Sequence, residues 1–267
     1  MGRPSDFAAL NCRSCVNGAA LGFDISMAFQ PIFDTDTQQV YSHEALVRGV
    51  ANEPASAVFA QVGDHNLYRF DQTCRVKAIK TASELGITTR LNVNFLPNAV
   101  YRPELCIRTT LEAAQAYSFP VDRIVFEVTE GEQITDLAHL RGILTHYRQC
   151  GFIVAIDDFG AGYAGLTLLA DFQPDLIKLD MGLIRDIDRD KARRTICSST
   201  IFMCRELGVE VIAEGVERHD ELRCLKDMGV HLFQGYYIAK PSFESLATIN
   251  PAMYASPRAP YVVAEGG

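Results

Sequence analysis

Five short, mostly apolar runs in the later part of the chain each stop on a carboxylate, a lysine or a glutamine. Ile124-Val125-Phe126 stops at Glu127, Phe152 to Ile156 at Asp157-Asp158, and Leu176-Ile177 at Lys178. Val209 to Ala213 stops at Glu214, and Val230 to Phe233 at Gln234. Apolar runs of about 4–8 residues bounded by turn signals suit strands buried on both faces. Parallel strands present their carboxyl ends to one rim, so these polar groups are expected to converge there.

The earlier pattern differs. An extended apolar stretch from Ala28 to Phe33 meets the turn Asp34-Thr35-Asp36-Thr37, and a second extended stretch runs from Val40 to Val47. At hairpin distance these two strands are expected to be antiparallel. Beyond Gly49 helix and strand alternate, with helical stretches near 55–62, 67–85, 103–117, 134–149, 164–171, 192–207 and 219–227. Strands are expected at 91–94, 124–128, 152–157, 175–179, 209–213 and 230–233. Alternation of this kind implies right-handed crossovers and a parallel sheet. Roughly eight strands over this length close into a (β/α)8-type barrel with one antiparallel strand. A doubly wound open sheet is the alternative, disfavoured because the polar strand ends spread along the chain instead of clustering at one switch point. Residues 1–20 read as a leader, 21–249 as the domain and 250–267 as a flexible tail.

A hydrophobic content of 48% over 267 residues is enough for one large α/β core. The formal charge of -8 argues against binding duplex nucleic acid, but leaves room for a small anionic ligand whose contacts are mediated by cations. No apolar run reaches membrane-spanning length and the first residues lack a signal-peptide core, so the expected location is the cytoplasm. Most of the eight cysteines fall in or beside expected helices, as reduced thiols do. Cys12 and Cys15 form a CxxC pair in the leader; without a second pair nearby, they read as thiols on a flexible segment rather than half of a zinc site.

The segment Asp157-Asp158-Phe159-Gly160-Ala161-Gly162-Tyr163 places adjacent carboxylates at a strand end, where they repel unless a cation lies beside them. Glu44, Asn94, Glu127 and Glu214 also occupy expected strand ends. An oxygen-rich set of this kind selects hard divalent cations such as Mg²⁺ or Mn²⁺. Two such ions about 3.5–4 Å apart suit in-line displacement at phosphorus. Lys178 interrupts an apolar strand, and a buried ammonium demands carboxylates or a phosphate-like anion around it. His43 precedes Glu44 but on strand alternation points away from it, and no GxSxG nucleophile elbow is present.

Seven segments, in order, resemble the EAL-domain cyclic-di-GMP phosphodiesterases: Glu44-Ala45-Leu46-Val47-Arg48-Gly49, Val93-Asn94, Glu127-Val128-Thr129-Glu130, Asp157-Asp158-Phe159-Gly160, Lys178-Leu179-Asp180, Ala213-Glu214-Gly215-Val216-Glu217 and Gln234-Gly235-Tyr236. The match spans about residues 25–245. It implies a modified TIM-type barrel with one antiparallel strand and the hydrolysis of cyclic di-GMP to linear pGpG. By this resemblance Glu44, Asn94, Glu127, Asp157 and Asp158 would be metal ligands, with Asp157 shared by two ions. Lys178 would hold the attacking water or the developing phosphorane charge, Glu214 would act as base or orienter, and Gln234 would position the water. Gln30, Leu46 and Arg48 would contact the dinucleotide, and Glu130 would couple the loop after Asp158 to a homodimer interface. Where family members often carry Thr and Ser, this chain has Ala161, Ala164, Gly165 and Leu96, but no ligand position is lost. The rival expectation is a module that binds cyclic di-GMP without cleaving it; such receptors usually lack an acidic ligand.

Overall fold

The computed structural model describes residues 21–100, 102–129, 137–162 and 165–254. The CxxC leader, Glu130 and the tail beyond residue 254 lie outside the described residues. The chain opens with the expected hairpin, β1 (Ile25–Asp34) and β2 (Gln39–Gly49), antiparallel in a register that sets Gln30 opposite Glu44. Two helices follow, α1 (Ala55–Phe59) and α2 (Leu67–Glu84), before β3 (Arg90–Asn94). The single helix expected over 103–117 divides at Ile107 into α3 (Pro103–Cys106) and α4 (Arg108–Ala116). Next come β4 (Ile124–Thr129), α5 (Leu137–Gln149), β5 (Ile153–Phe159), α6 (Gly165–Asp171) and β6 (Leu176–Leu179). A short α7 (Met181–Ile184), not expected from the sequence, precedes α8 (Lys191–Glu206), β7 (Glu210–Ala213), α9 (His219–Asp227) and β8 (Leu232–Phe233).

Strands β2 to β8 pair in sequence, each parallel to the next, and β1 closes the ring by pairing antiparallel with both β2 and β8. The result is a closed eight-stranded barrel with one reversed strand. An extra two-residue strand, β9 (Ser242–Phe243), pairs with Ala28 and Phe29 of β1. It carries no apolar run, which is why its sequence gave no strand signal. Among the described residues no helix is long and apolar enough to cross a membrane.

Side chains alternate across each strand, so one set fills the barrel and the other packs under the helices. The larger apolar core lies outside the barrel wall and includes Phe29, Phe126, Tyr147, Ile156 and Leu179. A small second core fills the barrel: Ile32, Val125, Ala155, Leu176, Ile212 and Leu232. Each of these six has a polar partner two residues further toward one rim, namely Gln30, Glu127, Asp157, Lys178, Glu214 and Gln234. In β1 the step runs backwards because that strand is reversed. An apolar plug thus sits one layer beneath a polar layer, and the polar strand ends open to one mouth.

Candidate active site

Lys178 is at the centre of the polar layer, with 1% of its surface exposed. Its Nζ lies 3.1 Å from Glu44 Oε2, 3.4 Å from Glu127 Oε2, 2.9 Å from Asp157 Oδ1 and 3.0 Å from Glu214 Oε2. Four strands therefore deliver carboxylates to one ammonium. Amides also hold these carboxylates: Asn94 Nδ2 donates to Glu44 Oε1 at 3.0 Å, and Gln234 Nε2 donates at 2.7 Å to Glu44 Oε2, the oxygen shared with Lys178. Asn92 Nδ2 donates to Glu127 Oε1 at 2.7 Å. Gln234 also reaches Gln30 Oε1 at 3.3 Å, and Gln30 donates to the Ala239 carbonyl at 3.1 Å. Asn92 is absent from the residues singled out in the sequence. Its signal was available: it lies two residues before Asn94 on one strand, so both face the barrel interior.

Simple alternation would send Asp158 to the opposite face from Asp157. The register of β5 against β6 shifts between Ile156 and Phe159, and Asp158 takes a left-handed backbone with φ 53°. Bulges re-aim side chains in this way, and aspartate tolerates that conformation better than most residues. Both carboxylates thereby reach the mouth. Asp157, Asp158 and Glu214 each offer an oxygen within 4.8 Å of the others'. Glu44, Glu127 and Asp157 do the same, so Asp157 belongs to both trios.

The titration of these groups reflects a competition between burial and the central charge. Burial opposes charge on Lys178, yet Asp157, Glu127, Glu44 and Glu214 raise its pKa well above the ordinary lysine range. Burial pushes Glu127 well above the usual carboxylate range; Lys178 works against this, while Glu44 and Asp157 add to it. Glu214 is pushed up to about 8, chiefly by burial and against the pull of Lys178. Burial would also raise Glu44, but Lys178 and the Gln234 and Asn94 amides bring it below its ordinary value. Asp158 is raised by burial and by the charges of Asp157 and Asp180, and it shares a hydrogen bond with Glu214. A hydrogen bond between two carboxyls needs a proton on one of them, in keeping with the high pKa of Glu214.

All donors in the two trios are carboxylate oxygens, the chemistry of a hard divalent cation site. The charge count agrees. Glu44, Glu127, Asp157, Asp158 and Glu214 carry five negative charges when ionised and Lys178 one positive, leaving −4, the charge that two divalent cations neutralise. A third acidic trio, Asp186, Asp188 and Glu221, has a different explanation: the Arg218 guanidinium lies within 3.0 Å of all three.

Two clefts flank this cluster. One, of about 320 Å³, is bounded by Gln30, Lys178, Glu214, Gln234 and Tyr236. The other, of about 330 Å³, runs between the ends of β2 and β3 and the helices α1 and α2, and is lined by Arg48, Phe59, Phe70 and Asp71. Glu44, Leu46 and Asp157 border both. The Arg48 guanidinium turns back to its neighbour's Val47 carbonyl at 2.7 Å, outside the Lys178 network. His43, on the outer face of β2, is buried and bonded through Nδ1 to Thr89 Oγ1 at 3.0 Å, consistent with a packing role.

The EAL domain family model matches residues 19–241. A crystal structure of a standalone versatile EAL protein from Vibrio cholerae O395, in a c-di-GMP bound form, has a TM-score of 0.86 and 52% identity, covering 89% of this chain and 100% of that one. The pH 8.0 calcium/cy-diGMP complex of Klebsiella pneumoniae BlrP1 has a TM-score of 0.81 at 35% identity, over 86% of this chain and 59% of that one. The blue light- and temperature-regulated antirepressor BluF of Escherichia coli is 30% identical over 223 residues, 83% of this chain and 55% of BluF. The cyclic di-GMP phosphodiesterase PA2567 of Pseudomonas aeruginosa is 33% identical over 135 residues, 51% of this chain and 23% of that protein. This chain thus spans about half the length of one curated relative and about a quarter of the other.

Proposed function

Because the chain belongs to the EAL domain family, we propose that it is a metal-dependent phosphodiesterase that hydrolyses one phosphodiester of cyclic di-GMP to give linear pGpG. The observation that carries this reading is the complete donor set at one mouth: Glu44, Asn94, Glu127, Asp157 and Asp158 around Lys178, with Glu214 and Gln234 beside it. A receptor that only binds has no need of five acidic groups at the cost of their mutual repulsion. Glu44, Asn94, Glu127, Asp157 and Asp158 would hold two divalent cations, Mg²⁺ or Mn²⁺, with Asp157 common to both. Bound there, the cations would supply Lewis-acid polarisation of a phosphodiester oxygen and offset the negative charge that otherwise repels an anionic substrate.

The remaining residues act on substrate and water. Gln30, Leu46 and Arg48 seat the dinucleotide, Arg48 leaving the Val47 carbonyl to donate to a phosphate oxygen. Lys178 stays protonated throughout the working pH range and stabilises charge that builds on phosphorus. Glu214 takes the proton of the attacking water; its pKa of about 8 belongs to the metal-free mouth, and cations held beside it would lower that value and free the carboxylate to accept. Gln234, fixed between Gln30 and Glu44, orients that water.

The name of BluF, an antirepressor, favours a second reading in which an EAL domain signals by binding alone. Incubating the purified protein with cyclic di-GMP and Mn²⁺, and identifying the product by chromatography, separates the two. The phosphodiesterase yields pGpG, and yields none in EDTA. Saturable binding of cyclic di-GMP with no pGpG at any divalent concentration would establish the receptor and overturn the enzyme.

A further inference from the structure

Asp71 and Arg75 lie one turn apart on α2 and form a 2.6 Å ion pair whose side chains are 1% and 0% exposed. Replacing such a buried pair with apolar side chains is often neutral or stabilising, so stability alone is a weak reason for its presence. What the two groups touch supplies a better one. Asp71 Oδ1 accepts the Leu96 N–H at 3.0 Å, two residues beyond Asn94 and past the end of β3. Phe95 N–H, between them, donates to the Glu127 carbonyl at 3.0 Å. The Arg75 guanidinium lies 5.1 Å from the Phe126 ring centroid, 5.6 Å from Phe95 and 5.8 Å from Tyr147. Its Nη1 also donates to the Tyr147 hydroxyl at 3.1 Å.

Phe126 immediately precedes Glu127, and Phe95 immediately follows Asn94. Adjacent residues on a strand point to opposite faces, so holding the two rings on the outer wall fixes the angle of the two donors on the inner wall. We infer that Asp71 and Arg75 are positioning residues, which act through Leu96, Phe95 and Phe126 to set Asn94 and Glu127 for cation binding. The inference rests on the ligand assignment proposed above. Asp71 borders the cleft beside Arg48, but its two oxygens are taken by the Leu96 N–H and the Arg75 guanidinium, so its effect on the cations runs through the strand wall.

The test is Mn²⁺ affinity of the purified full chain, measured by titration calorimetry, beside kcat, KM and melting temperature. Outer supports of metal ligands typically change affinity by roughly ten- to a hundredfold. Asp71→Ala is expected to weaken Mn²⁺ binding by about that factor, while kcat at saturating Mn²⁺ stays near wild type. Asp71→Asn keeps an oxygen for the Leu96 N–H and is expected to recover most of the affinity. Leu225→Ala, which opens the core beneath α9, is expected to lower the melting temperature with Mn²⁺ affinity unchanged. Should Asp71→Ala fail to fold, the apolar double variant Asp71→Leu/Arg75→Met is measured in its place, with the same expected loss. Unchanged Mn²⁺ affinity in Asp71→Ala or in the apolar double variant, or an equal loss in Leu225→Ala, overturns the inference. Wild-type protein that takes up no Mn²⁺ overturns the ligand assignment itself.

Discussion

Replacing Lys178 with methionine keeps the length of the side chain and removes the charge that four carboxylates, three of them buried, surround. With N···O distances of 2.9 to 3.4 Å, each attraction is worth about 5–6 kcal/mol at an effective dielectric constant of about 20, or roughly 20 kcal/mol for four. Oxygens within 4.8 Å of one another in the Glu44, Glu127 and Asp157 trio repel by about 3–4 kcal/mol per ionised pair on the same scale. The two acidic trios hold six such pairs, roughly 20 kcal/mol of repulsion when all are ionised, so the ammonium about offsets the repulsion it sits in, and without it the cluster must take up protons or loosen. Relaxation of that kind reduces the measured cost of stripping one partner from a buried pair to about 3–5 kcal/mol.

The pH dependence of that cost has a defined sign. Glu214 has its pKa raised from 4.5 to about 8 in the fold, so its ionisation disfavours the native state increasingly across that window. Removing Lys178 holds Glu127 and Glu214 protonated to still higher pH and enlarges the penalty there. Urea unfolding in EDTA is expected to show Lys178→Met less stable than wild type by about 3–5 kcal/mol at pH 8, narrowing to below about 2 kcal/mol at pH 5. A difference that is the same at both pH values, or under about 1 kcal/mol at pH 8, would refute the electrostatic argument.

Other parts of the molecule make equally definite predictions. Burial lowers the His43 pKa from 6.5 to about 4, so its stabilisation is full above the unfolded value and is lost as pH falls through the folded one. Urea melts should show wild type losing about 3 kcal/mol relative to His43→Asn between those limits; a constant difference would mean the ring is charged in the fold. Gly235 has φ 152°, and a Cβ there would sit 2.2 Å from the Val216 carbonyl oxygen, so Gly235→Ala should cost roughly 3 kcal/mol and displace Gln234. Retention of both stability and turnover would show that this turn yields easily. Leu225→Ala, at a fully buried position, should lower stability by about 2–5 kcal/mol, with KM for cyclic di-GMP unchanged.

The barrel and its mouth were readable because each inward strand ends on a polar residue just beyond its apolar core. Glu127, Asp157, Lys178, Glu214 and Gln234 each follow a plug residue by two positions, a period-two signal that survives in one sequence. Three features were not readable. The bulge that brings Asp158 beside Asp157 depends on a local register shift, invisible to a rule that alternates faces. Strand β9 holds two residues, too few for periodicity. The Asp71–Arg75 pair looks like any i, i+4 surface pair on a helix, and its burial appears only once α2 is laid against Phe95, Phe126 and Tyr147.

The most direct test of the account is the location of divalent cations at the barrel mouth. Crystals soaked in Mn²⁺ and measured at the manganese absorption edge are expected to show two anomalous peaks beside Asp157, bounded by Glu44, Asn94, Glu127 and Asp158. Both should be lost or severely weakened in Asp157→Asn. A mouth without anomalous density, at Mn²⁺ concentrations that saturate turnover, would contradict the claim that these remote residues are gathered to hold a cation pair.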